Sequence, residues 1–293
     1  MTAPTTATAG PTPSVAARRS APLGRLLAAE IRWVLRRPRT LVVIGLLRLV
    51  PVAIAIGVAT IGGPGGGDGR GPGLVAAVVG NGLVLPIAAL GLTLALLLPL
   101  AVGMAGADAI AGESAHGTLR GLLLAPVGRL RLVAVKAVGV LTVAVVAVLV
   151  VAVVGVLAGL VVVGGAEGSL VTLSGTTLGV GEALGRVALV AAWTVGQLAA
   201  VGAIALAISS VTEHPLVVLA SVLGGIIVFG VLSAIPSLEW LQPALLTSGW
   251  TAGTDALRDP LPLDGMGSST LLAAVYVVLG LAFTVCRMRA RSA

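Results

Sequence analysis

The chain has 293 residues, 57% of them hydrophobic and only 10% charged, with a mean hydropathy of +1.12. Soluble domains carry about 25% charged residues, so a water-soluble globule is excluded. The formal charge of +7 raises nucleic acid as a partner, but aromatic residues are 2% and no basic stripe interleaves with them, so no nucleic-acid surface is read.

In chain order, residues 1–22 are rich in Thr, Ala and Pro and lack a long apolar stretch. A disordered tail is expected there, and no signal peptide. Residues 23–37, LGRLLAAEIRWVLRR, follow a helical period: Leu23, Leu26, Leu27, Ile31, Val34 and Leu35 share one face, and Arg25, Arg32 and Arg36 the other. This predicts a basic amphipathic helix lying in the headgroup region. Glu30 is its exception, since it falls on the apolar face. Either it snorkels at the helix edge, or it pairs with an arginine of another segment.

Pro38 then breaks the helix, and residues 38–293 read as six apolar spans over about 40–61, 74–104, 132–163, 184–208, 215–235 and 270–285. The second contains Pro86 and Pro99; Pro215 suits the first turn of the fifth. The charged stretch 106–131 lies between spans two and three, and a long loop, 236–269, between spans five and six. Most basic residues fall in the N-tail, in 106–136 and at the C-terminus. The other loops are mostly acidic, against Arg70, Arg258 and the bordering Arg186. This asymmetry predicts a multi-pass protein of the bacterial plasma membrane with both termini cytoplasmic.

Enzyme signatures are missing: there is no H-E-x-x-H, no G-x-S-x-G and no P-loop. Glu113 and His116 offer two metal ligands, and two do not make a site. Cys286, the single cysteine, excludes an intramolecular disulfide and reads as inert. Ion-coupled transporters hold Asp, Glu or His at mid-membrane, yet every acid here falls in a loop, at a helix end or on the surface helix. Uphill transport would therefore draw energy from another source. Among polar residues within spans, Arg48 either snorkels or faces a cavity that attracts anionic groups. Gln197 and Trp193 in the fourth span, and Asn81 in the second, either bond between helices or line a substrate path.

The stretch from Gly112 to Lys136, GESAHGTLRGLLLAPVGRLRLVAVK, concentrates charge in a chain otherwise poor in it. Thr118 can cap a short helix, Leu119 to Ala125, that Pro126 and Gly128 terminate. Here the chain resembles the ABC-2 type permeases, membrane subunits of a class of ATP-binding-cassette exporters. The resemblance is carried by Glu113, Gly117, Thr118, Leu119, Leu122, Leu123, Pro126, Val127, Arg129 and Lys136, and extends to AEIRWVLRRPRTL, Pro51, LRDPLPLDG and the final CRMRARS. It implies an all-α membrane protein of six transmembrane helices with an N-terminal elbow helix (Glu30, Arg32, Arg36), the fold of type V exporters. It further implies a coupling helix after the second span. There Glu113 and Arg120 would make ionic contact with a separate cytosolic ATPase, and Leu119, Leu122 and Leu123 would fill its groove. ATP and Mg would be bound by that partner, with no cofactor on this chain. A second permease copy or paralogue would complete the path; separately, the mostly apolar interior with Arg48 as its one deep charge suits a lipophilic or amphipathic, anionic compound as substrate. A membrane scaffold or assembly factor without transport is the alternative.

Overall fold

The computed structural model of the protein describes residues 23–61, 78, 81–115, 128–163 and 170–290. Helix α1 (Leu23–Arg36) precedes α2 (Pro38–Ile61). After a 3-10 turn, Gly82–Val84, come α3 (Leu85–Leu94) and α4 (Leu97–Ala107). A π-helical turn, Asp108–Gly112, and a short turn, Glu113–Ala115, prolong α4. Then follow α5 (Arg129–Ala158), with its own π turn Gly159–Val163, and a two-stranded hairpin of β1 (Leu170–Val171) and β2 (Thr177–Leu178). Helices α6 (Val180–Ser209), α7 (Pro215–Ser233) and α8 (Asp264–Ala290) complete the chain, with 3-10 segments Pro236–Ala244 and Ser248–Leu257 between the last two.

Helices α2, α5, α6, α7 and α8 are each long and apolar enough to cross a membrane, and α3 and α4 together form a sixth, bent by 52°. Pro99 explains the break. Pro86 and Pro99 each sit in the first turn of a helix, where a missing N–H costs nothing, and Pro99 cannot continue an unbroken ladder through Ala95 and Leu96. Pro215 starts α7 in the same way. The π turn at Asp108–Gly112 shifts the backbone register, and Ser209 of α6 secures it: its hydroxyl accepts from the Ala111 N–H at 2.8 Å and donates to the Ala107 carbonyl at 3.3 Å. In hydrocarbon such groups need internal partners.

Small residues let the central helices approach closely. A Cβ on Gly106 of α4 would stand 2.5 Å from the Ala205 Cβ of α6, and one on Gly280 of α8 would stand 2.8 Å from the Ala203 backbone. Arg36, Arg37, Arg39, Arg129, Arg287 and Arg289 cluster at one end of the bundle, called here the basic end. The opposite end is closed by the hairpin and the 248–257 segment. Buried Arg186 of α6 ties the end of that segment to the helix, donating to the carbonyls of Ala256 (3.1 Å) and Arg258 and to Asp259 Oδ1 (3.2 Å). The Leu173 N–H donates to the Leu257 carbonyl at 2.8 Å, so the small hairpin docks on the same segment. This accounts for an arginine at the margin of an otherwise acidic loop.

Candidate functional site: an ion cluster at the basic end

Where α1, the start of α2, the end of α4 and the start of α5 meet, three carboxylates face three cations. Lys136 of α5 is only 4% exposed, and its Nζ donates to Glu30 Oε1 and Oε2 of α1 (3.0 and 3.2 Å) and to Glu113 Oε1. Arg37 pairs with Asp108 at 2.9 Å, and the more exposed Arg39 approaches Asp108 at 3.8 Å. The Trp33 ring lies under both halves, with the Arg37 guanidinium 3.4 Å and the Lys136 ammonium 5.4 Å from its centroid. Such contacts stabilise a cation most where water is scarce. Burial lowers the Arg37 pKa from its ordinary value, and Asp108, Glu113 and Glu30 oppose that shift. A guanidinium so flanked stays charged.

Local sequence explains each position. On α1, Leu26, Leu27, Ile31, Val34 and Leu35 turn toward the bundle while Arg25, Arg32 and Arg36 remain exposed, as the amphipathic pattern requires. Glu30 belongs to the buried face because Lys136 waits for it there. Gly139, one turn beyond Lys136, leaves it room: a Cβ at that position would stand 3.1 Å from Glu30 Cγ. Asp108 and Glu113 are five residues apart, a spacing that an α-helix would place on different faces. The intervening π turn brings them toward one side, and Gly112 fits where a Cβ would lie 3.3 Å from Asp108 Oδ1. An open hollow of about 370 Å³, lined by Trp33, Arg37, Pro38, Arg39, Asp108, Gly112 and Glu113, adjoins the cluster.

Several expectations change here. Glu30 neither snorkels nor meets an arginine; its partner is a lysine. Glu113 is buried against Lys136, so the ionic contact with an outside protein read for it from sequence becomes an internal one. The reason is depth: Glu113 still belongs to the packed end of the second crossing. Arg129 opens α5 and is half-buried. Gly117, Thr118, Leu119, Arg120, Leu122, Leu123 and Pro126 lie outside the described residues, as do His116 and the tail 1–22. Trp33, Arg37 and Asp108 were missed in the sequence. Their pairing is long-range, and the only local signal was the placement of Asp108 and Glu113 at the end of an apolar run.

The residues read as lining a path separate. Asn81 is not within a span: it precedes the 3-10 turn and donates from Nδ2 to the Val171 carbonyl at 2.7 Å, anchoring the hairpin. Trp193 is packed, donating from Nε1 to Ser269 Oγ at 3.1 Å, with its ring against Gly253. Gln197 is fully buried, and neither amide atom has a hydrogen-bond partner among the described residues, so the expected interhelical bond is absent. Replacing it should therefore help the fold: Gln197→Leu is expected to raise stability by about 1–3 kcal/mol, read by thermal unfolding in detergent. A loss of stability would show that the amide has a partner after all. Arg48 alone of the four is exposed, on the flank of α2 that carries Leu41 and Val52.

No group of three or more His, Cys, Asp or Glu side chains positioned to hold a metal occurs among the described residues. The cluster is an electrostatic joint in form: it ties a surface helix to both helices that flank residues 116–127. The family model for ABC-2 family transporter proteins matches residues 26–251, well over half of the chain. A comparison with curated proteins returned no match. The chain belongs to the ABC-2 family of transporter proteins, as a multi-pass membrane component of an ABC transporter.

Proposed function

We propose that the protein is the export permease of an ABC transporter, driven by a separate cytosolic ATPase that docks on residues 116–127. The observation that carries this is the ion cluster. Asp108 and Glu113 precede that segment in the chain, Lys136 follows it, and their ion pairs with Arg37 and Glu30 join those flanks to α1 and the turn after it, so a push on the segment reaches α1, α4 and α5 together. A buried network of matched charges rigidifies the packing around it, and a rigid joint passes displacement on. The hollow beside Gly112 and Glu113 leaves space for the docked partner. ATP and Mg belong to the ATPase, whose P-loop this chain lacks.

The basic end faces the cytoplasm of a bacterial cell in this reading, which puts both ends of the chain there. The path runs between this permease and a second copy or a paralogue. Helix α7 supports that arrangement: it is the least covered of the spans and exposes Leu216, Val217, Ile227, Val228 and Val231. Co-expression with the candidate P-loop ATPase, followed by affinity purification in mild detergent, tests the reading. The ATPase is expected to co-purify with the full chain and to be lost when residues 116–127 are replaced by a Gly/Ser linker. An inserted permease that never retains an ATPase would favour the scaffold role instead.

A further inference from the structure

Among the described residues, Arg48 is the one charged residue deep within a span that is not absorbed by the packing described above. It lies nine residues beyond Arg39, the last basic residue before the apolar run of α2. At 1.5 Å per residue that is about 13 Å along the helix, close to the middle of a hydrocarbon core about 30 Å thick. This depth exceeds what one arginine side chain spans, so snorkelling leaves the guanidinium short of the headgroups. The residue is exposed and has no ionic partner among the described residues. Its neighbours on the same flank, Leu41 and Val52, are exposed and apolar. Ile44 and Ala55, to its other side, are buried, so the guanidinium sits on the border between the packed bundle and its open flank.

A permanent cation at that depth is costly against lipid tails, and such residues face a water-filled cavity or an opposite charge. Arginine holds carboxylate, phosphate or sulfate through paired N–H donors. Resting on the permease reading, we infer that Arg48 binds the anionic headgroup of an amphiphilic substrate, whose apolar tail lies along the Leu41–Val52 flank of α2. The flank supplies apolar surface and one cation, and an amphiphile with a single acidic group supplies the complement of both.

The test uses the permease–ATPase complex in proteoliposomes, with ATP hydrolysis measured in the presence of oleate, lysophosphatidate, oleyl alcohol or oleylamine. Oleate or lysophosphatidate is expected to stimulate at least twofold more than the alcohol or the amine, and the stronger of the two acids identifies the headgroup. Arg48→Gln should abolish that preference, and Arg48→Lys should keep part of it. Equal responses to acid, alcohol and amine overturn the inference. So does an Arg48→Gln complex that still prefers the acids, or an intact complex that none of the four stimulates. Arg48→Gln removes a charge from an exposed flank, and co-purification of the ATPase checks its assembly. Loss of the ATPase from the wild-type chain is a different failure, and refutes the permease reading itself.

Discussion

Lys136→Ala is expected to destabilise the protein by about 3–5 kcal/mol, because it leaves buried Glu113 and half-buried Glu30 without their shared cation. Low local dielectric makes the loss larger than for a surface pair, where the median contribution is about 0–1 kcal/mol. Glu30→Gln should cost less, about 1.5–3 kcal/mol, since Lys136 retains Glu113 and the amide can still accept a hydrogen bond. Equilibrium unfolding in mixed micelles, followed by tryptophan fluorescence, reads both, and Trp33 lies within the cluster to report its opening. A Lys136→Ala protein within about 1 kcal/mol of wild type would mean that the cluster is hydrated and loose. The graded pair matters because an apolar packing role for the lysine stem would make Glu30→Gln silent.

Gly159→Ala is expected to be the most damaging single-methyl addition in the bundle. Its Cβ would stand 2.0 Å from the Gly82 carbonyl oxygen, so backbone must move. Overpacking costs about 1–3 kcal/mol in well-packed cores, and this position should lie at the top of that range. Gly280→Ala, 2.8 Å from the Ala203 backbone, should follow it. Gly57 of α2 is the control, with nothing within 4 Å; there alanine should stabilise by about 0.5–1 kcal/mol through lower conformational entropy in the unfolded chain. Equal effects at Gly159 and Gly57 would refute the close approach of α5 to the 3-10 turn before α3.

Much of the fold was legible because hydrophobic length is a local property. Within the described residues the apolar runs are helical, the second as a bent pair, and Pro38, Pro86, Pro99 and Pro215 stand at or near helix starts. The bend at Ala95 and Leu96 was not legible, since neither residue disfavours a helix; only Pro99 downstream does. The small hairpin escaped notice because two-residue strands leave almost no periodic signal, though Gly175, at φ of 84°, occupies a turn position that suits glycine. In the candidate site, Glu30 announced itself as an acid on an apolar face. Its partner did not, because 106 residues separate it from Lys136. Asp108 was hidden for a second reason: the π turn changes the angular step between Asp108 and Glu113, and a helical wheel with a constant step cannot show it. Asn81 and Trp193 read from sequence as either interhelical or path residues, and both are taken up by contacts at the end opposite the cluster. Burial thus reflected packing for both Asn81 and Trp193, while exposure singled out Arg48.

The measurement that tests the coupling reading most directly is ATP hydrolysis by the partner ATPase in proteoliposomes, alone, with the wild-type permease and with Glu113→Ala. Glu113 pairs with Lys136 and lies three residues before the proposed docking segment, so in the proposed mechanism motion passes through it. The expected result is a hydrolysis rate that changes when the wild-type permease is present, and reverts toward that of the ATPase alone with Glu113→Ala, at equal insertion and equal co-purification. A Glu113→Ala complex that hydrolyses ATP as the wild type does would contradict the role of the cluster in energy transfer.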